Sequence, residues 1–593
     1  MRRLLAIVVT ALLGVTGARA QTPDAVPEFF LDLDTGGHRA VVKDLAFTPD
    51  GELLVSASDD KTIRVWDWRA GVTIRTIRGQ IGPGNDGKVF AVAIAPDGGT
   101  LAVGGWFGPG LGDAPPYGDV RLFDLKSGRL TGVLEGHEYP VYDLAFSPDG
   151  GFLAAGGQDG YVHVWRRDGD AGTGWTAHGV LDADALRIEK IAFALGGERM
   201  IAATADHGLR LFDMATGAEI GLPEAEELRD VPLSALAVSP DGSRFATGGD
   251  DGIVRLWQAA DGALAAAMPR GHRIGTLSFS ADGALLIASC GYRCAGRNDV
   301  VAWDVAQPDA APLLYEGHDN VVLASAAGPE GLVATAGGER HEIHLWDPAT
   351  GDLRRVLRGS GAPVTAVGVS EDGGVVGWGD DNPCPQAIAC PDAPGTLARE
   401  LPLPTRDRGF ENPAPLGENG AALRRAVLAE GEWSLTYAPG GPLGAPHAVL
   451  EIRRDGAVLN RIVNDAANGF VHSAYTLLSD GKSLVTGGGD GTLILYDRDT
   501  GEQAGEFLGG HSGEVLAVAE APGARLMVTG GADQTMRLWN LATRELVASL
   551  FFTDGDWIVW TPQGYYFSSP MGDDLVGWHV NQGPGREARH VTA

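Results

Sequence analysis

The feature that most constrains this chain is a unit of about 43 residues that recurs along most of its length. The first copy opens with Gly37-His38, continues through an apolar run from Val42 to Phe47, and turns at Thr48-Pro49-Asp50-Gly51. A second run, Leu53 to Ser58, leads through Asp60 into a third, Thr62 to Trp66, which closes on the aromatic and is followed by Asp67. Apolar runs joined by Asp-Gly predict antiparallel hairpins, because glycine supplies the positive φ the turn needs. The turn recurs at Asp97-Gly98, Asp149-Gly150, Asp241-Gly242, Asp282-Gly283, Asp372-Gly373 and Asp480-Gly481. The closing aromatic recurs at Phe123, Trp165, Phe212, Trp257, Trp303, Trp346, Tyr496 and Trp539. A unit too small to bury its own apolar faces has to stack on its copies, so the expected fold is all-β and repetitive.

These units resemble WD40 repeats, in which each unit is a four-stranded blade and blades close radially into a β-propeller. The resemblance implies a buried hydrogen-bonded set in the first repeat, assigned by position to His38, Ser58, Asp60 and Trp66. The third repeat keeps His137, Asp159 and Trp165, with Gly157 where the hydroxyl is expected, and the fifth has Asp251 and Trp257 without a Gly-His. Seven aromatic markers run from Trp66 to Trp346; the unmarked stretch before Tyr496 has room for two degenerate blades, and Trp578 closes a last, atypical one. The count is about twelve blades in tandem propellers. The expected division is a first propeller over 26–357, a second, more degenerate one over 358–582, and a polar tail over 583–593. Seven plus five and six plus six blades are both open. Phe29 to Leu33 is a candidate closing strand, and Pro402 to Pro415 is expected to be loop.

Residues 1–20 read as a secretory signal peptide: Arg2-Arg3, an apolar stretch from Leu4 to Val15, then Ala18-Arg19-Ala20 before Gln21. The mature protein is therefore expected in the periplasm or outside the cell, with no membrane span after cleavage. In an oxidising compartment, Cys290 with Cys294 and Cys384 with Cys390 are expected to form two local disulfides. The net charge of −31 repels phosphate, so nucleic acid is not an expected partner.

Two segments carry a narrower resemblance. Ile81 to Lys88, leading into Ala91 to Gly98, and Trp557 to Tyr566, leading to Gly577-Trp578-His579-Val580-Asn581, are similar to segments of bacterial WD-repeat proteins whose propellers accompany a caspase-like peptidase domain. No cysteine stands in the Gln-Ala-Cys-like context of such a peptidase nucleophile, so that chemistry is not expected here. Gly82 to Lys88 also matches G-x4-G-K, but Val89 follows where a phosphate loop needs Ser or Thr. His341 and His344 would point to opposite faces of a strand and could not share a metal. No catalytic set, cofactor or metal site is expected.

What the sequence offers instead is a bias in its insertions, which fall between the second and third strands of a repeat. Trp106, Phe107 and Tyr117 lie in one such insertion; Tyr292, Arg293 and Arg297 in another; Arg340 and His341 in a third; and Trp378 borders the loop holding Cys384 and Cys390. Aromatics and arginines collected on one face are expected to bind a protein or peptide partner. A non-enzymatic scaffold is the primary expectation. A propeller enzyme acting on a glycan or small molecule in its channel, and a regulator of a separate caspase-like peptidase, are the alternatives.

Overall fold

A computed structural model describes residues 29–82, 84–107, 118–168, 174–222, 228–291, 299–381, 395–404, 411–417, 422–438, 440, 447–464, 469, 471–553, 555–582 and 586–592. These residues form twelve antiparallel sheets and no α-helix. The repeated turn explains why the hairpins form where they do. Gly51, Gly98, Gly150, Gly242, Gly283, Gly373 and Gly481 take φ between +68° and +71°. In five of these turns a hydroxyl (Thr48, Ser147, Ser239, Ser280 or Ser370) donates to the turn aspartate at 2.5–2.7 Å. The same carboxylate accepts the backbone N–H two residues further on. Each turn is thus closed locally before any packing occurs.

Seven sheets follow in sequence: blades 1 to 7 over residues 42–78, 89–137, 141–182, 188–213, 233–269, 276–315 and 322–357. Each has four strands, here called a to d in chain order, except blade 4, which has three among the described residues. The a strands stand side by side: Val42–Phe47 packs on Val89–Ile94, and so on round to Val322–Ala327, which returns to Val42–Phe47. Seven blades therefore close a ring. Successive blades bury apolar layers between them, such as Val55, Ile63, Val89, Leu101 and Phe123 between blades 1 and 2. A middle strand has a neighbouring blade on both sides, so Leu54–Ser58 is buried at every position, whereas the outer strand Val72–Arg78 still alternates.

Five more sheets complete the chain: sheets 8 to 11 over 366–415, 429–463, 472–506 and 515–568, and a terminal sheet of three strands. The two degenerate units expected between Trp346 and Tyr496 are sheets 8 and 9. Ala366–Val369 packs on Val515–Ala521, which packs in turn on His472–Leu477. Arg424 bridges to Val369 and Val427 O accepts Leu477 N–H, so an irregular segment stands between sheets 8 and 10. The stretch Pro402 to Pro415 is not wholly loop: Arg399–Pro402 and Ala414–Pro415 are the outer strands of sheet 8.

In the terminal sheet, Phe29–Leu33 pairs with Val576–Val580, which pairs with Arg589–Thr592. The first described strand is thus joined to the last unit, and it also grips blade 1. Asp32 meets Arg78 at 2.6 Å and Arg39 at 3.2 Å; Asp34 meets Arg64 at 2.8 Å and Arg78 at 3.0 Å. Burial pushes the Asp34 carboxyl up, but Arg64 and Arg78 outweigh it and hold the carboxyl well below the usual range.

Candidate functional site

In each blade the d-to-a and b-to-c connections meet on the face where strand a begins. Lys43, Phe90, Tyr142 and Glu189 are each the second residue of strand a, in blades 1 to 4. Geometry brings this rim together. Phe90 and Tyr142 stack with centroids 5.5 Å apart and planes 4° from parallel. The Arg187 guanidinium lies 5.4 Å from the Tyr142 ring centroid, and the Tyr142 hydroxyl donates to Gln158. The Lys43 and Lys88 amines stand 3.7 and 3.8 Å from one oxygen of Asp59. Lys61 donates to Gly82 O at 2.6 Å; burial and the neighbouring Lys88 push its amine down to about 8. Leu186, 78% exposed, and Tyr139, 49% exposed, extend the rim outward. This face thus joins aromatic rings to lysines and an arginine that are paired with acids, Lys43 and Lys88 with Asp59 and Arg187 with Glu189.

Trp106 belongs to the same face. Its N–H donates to Lys88 O at 2.9 Å and its carbonyl accepts Gly87 N–H at 2.7 Å, so the b-to-c insertion of blade 2 starts against the loop entering that blade. The approach leaves no room for a side chain at Gly105, where a Cβ would lie 2.1 Å from Lys88 O. The far side of that loop meets the last unit: Ile81 N–H donates to Asn581 Oδ1 at 3.0 Å, and Asn581 Nδ2 donates to Ile81 O at 2.6 Å. The two segments of the narrower resemblance therefore touch.

The buried polar sets are structural and differ from the positional assignment at one residue. Trp66 Nε1–H donates to Ser56 Oγ at 2.8 Å, the Ser56 hydroxyl lies 2.6 Å from His38 Nε2, and His38 Nδ1 lies 2.9 Å from Asp60. Ser58 is not the shared hydroxyl; it donates to Ala40 O and accepts the Asp60 N–H. Both serines lie on the same face of the strand, and the histidine ring sits over its middle, so it reaches the earlier one. The network fixes the tautomer: a hydroxyl that accepts from indole donates to Nε2, leaving the proton on Nδ1 for Asp60. Sheet 11 repeats the set at the same spacings with His511, Thr529, Asp533 and Trp539, at 2.8, 2.8 and 2.9 Å. Burial opposes the charge on Asp60 and Asp533, but His38 and His511 hold both carboxyls far below the usual range.

Strand a carries buried charge as well. Asp143 accepts from Lys190 at 2.9 Å and from Ile191 N–H at 2.7 Å; Asp44 accepts Val92 N–H at 2.9 Å and Leu45 N–H. Each aspartate thereby binds the backbone of the next blade. Burial, which outweighs the attraction of Lys190, lifts Asp44 to about 6.

Other expected partner residues have different surroundings. Phe107 is 5% exposed, packed in the layer between blades 1 and 2 with Arg121 4.3 Å from its ring. Trp378 is a core residue stacked 3.9 Å from Phe552. Arg340 and His341 face the chain's own later sheets, at Asp380 (3.6 Å) and at Ala532 O (2.9 Å). Phe107, Trp378 and His341 are not a free binding surface, because blade interiors and later sheets cover them, whereas the Arg340 side chain stays 41% exposed beside Asp380. Tyr117, Tyr292, Arg293 and Arg297 lie outside the described residues, as do Cys294, Cys384 and Cys390. Cys290 is buried, and no cysteine among the described residues is free. Sequence reasoning missed Phe90, Tyr142 and Arg187, whose only signal was their shared place at the opening of the first strand.

Sheets of this kind, stacked about a ring, define a WD40-type propeller fold. The model of the "WD domain, G-beta repeat" matches residues 32–67, 128–166, 229–258 and 502–540. A guanine nucleotide-binding protein subunit beta of Oryza sativa subsp. indica is 25% identical over 235 residues, 37% of this chain and 57% of that protein. The corresponding subunit of Arabidopsis thaliana is 27% identical over 228 residues. A nuclear distribution protein PAC1-2 of Uncinocarpus reesii is 27% identical over 287 residues, 38% of this chain and 60% of that protein. The chain thus spans less than two thirds of the length of these relatives.

Proposed function

We propose that this protein is an exported, non-enzymatic scaffold that binds a protein or peptide through the a-strand face of blades 1 to 4. The observation that carries the reading is the rim itself: the Phe90–Tyr142 stack, Arg187 over Tyr142, and Trp106 held against the Lys88 backbone. Aromatic and guanidinium groups at the centre of a rigid surface are the usual anchors of protein binding. The test is capture of the tagged full chain after cross-linking in cells, beside Trp106→Ala and Tyr142→Ala combined. One dominant protein lost in the variant, with unchanged thermal melting, is the expected result. Equal capture by variant and parent would overturn this face as the binding surface.

A second reading rests on the buried cluster between the inner strands, where Asp44, Asp143 and Lys190 gather and Asp44 is raised to about 6. That is a suitable value for a general acid acting on a glycan or small molecule. Against it, both carboxylates already accept backbone N–H groups that hold blades together. Loss of hydrolysis in Asp44→Asn without loss of stability would favour catalysis. The resemblance of the touching segments at Ile81 and Asn581 makes a separately encoded caspase-like peptidase a partner to try by name.

A further inference from the structure

Blade 3 departs from blades 1 and 11 at two positions of the buried set at once. Where Ser56 and Thr529 supply a hydroxyl, blade 3 has Ala155; where Arg64 and Arg537 stand two residues before the tryptophan, it has His163. Both changes act on one ring. His137 Nε2 now faces the Ala155 carbonyl at 3.1 Å, a pure acceptor that requires the hydrogen on Nε2. In the neutral imidazole, Nδ1 then presents a lone pair to the Asp159 carboxylate 2.7 Å away. Two acceptors cannot face each other unbridged; either a second proton on the ring or a metal cation has to stand between them.

His163 stands beside this pair. Its ring centroid is 4.1 Å from that of His137, and His137, Asp159 and His163 each offer a ligand atom within 4.8 Å of the other two. No arginine takes the place that Arg537 holds beside Asp533 in sheet 11.

We infer that His137, Asp159 and His163 form a site for a divalent cation of the zinc class, in which the metal replaces the hydrogen shared by His137 Nδ1 and Asp159. Two imidazoles and one carboxylate suit zinc, whereas calcium and magnesium prefer all-oxygen sets. The Ala155 carbonyl takes the outer role common at such centres, accepting the Nε2–H and orienting the ring. The site adjoins Gln158, the acceptor of the Tyr142 hydroxyl, so it borders the proposed binding rim.

The experiment is equilibrium dialysis of the chelator-stripped full chain against zinc, with cobalt absorption as a reporter of ligand geometry. One ion per chain is expected, weakened at least tenfold in His163→Gln. If that variant is destabilised, Ala155→Ser decides: it restores the hydroxyl of blades 1 and 11, returns the proton to Nδ1, and is expected to weaken zinc while keeping the fold. Absence of bound zinc, or binding unchanged in both variants, would show that a proton alone bridges His137 and Asp159 and would overturn the inference.

Discussion

Blade 1 and blade 3 share a chain path and an inner-strand register, yet one completes its buried polar set and the other does not. In blade 1 every donor meets an acceptor, from indole through hydroxyl and imidazole to Asp60, and Thr62 and Arg39 add further donors to the same carboxylate. In blade 3 the hydroxyl is gone and the histidine is left between two acceptors. The lesson is that a repeat keeps its backbone on apolar packing and turn chemistry alone. The polar set adds rigidity where it is intact and frees side chains for other uses where it is not. The apolar layers bear this out, since blade 3 packs Leu153, Ala155 and Trp165 as tightly as blade 1 packs its counterparts.

The comparison can be broken most forcefully at the closing aromatic. Trp539→Ala removes a fully buried ring and its bond to Thr529, and should cost about 3–5 kcal/mol by urea denaturation. A cost below about 1 kcal/mol would mean that sheet 11 does not depend on its polar set. Next in size, Asp60→Asn should cost about 3 kcal/mol, because it leaves His38 without its partner in a dry site. Asp159→Asn in chelated protein should cost about 1 kcal/mol, since that carboxylate is partly exposed. Equal losses at the two positions would erase the distinction between the blades.

Acid sharpens the same contrast elsewhere. His472 is pushed down to about 4 by burial, only partly offset by its bond to Ile462 O. A depressed histidine favours the folded state while it stays neutral, so its contribution is present above about pH 6.5 and declines toward pH 4, as the unfolded chain takes up the proton first. The loss should be about 3 kcal/mol, read as a falling urea midpoint, and His472→Gln should flatten that part of the profile. An unaltered profile would contradict it. The smallest expected effect is a gain: Ala155→Ser in metal-free protein should add about 1 kcal/mol by completing the set of blade 3.

Much of the fold was legible in the residues because the information is local. Asp-Gly turns, alternating runs and closing aromatics act within a few residues of themselves, which is why the seven marked blades and the two unmarked ones appear where expected. The hydroxyl was misplaced from Ser56 to Ser58 because period-two alternation cannot tell neighbours on one face apart. Trp378, Phe107 and His341 were read as surface groups because an insertion implies exposure, and nothing local announces that another part of the chain will cover it.

By itself, then, the sequence determined the unit, its turns and the all-β character of the described residues. The tertiary structure decided which blades meet. It decided that Phe29–Leu33 joins the last unit while its aspartates hold arginines of blade 1, that Ile81 meets Asn581, and that Phe90, Tyr142 and Arg187 converge on one rim. The physical reason is that closing a ring places residues from separate repeats within a few ångströms, and closure is set by the packing of whole sheets rather than by any one segment.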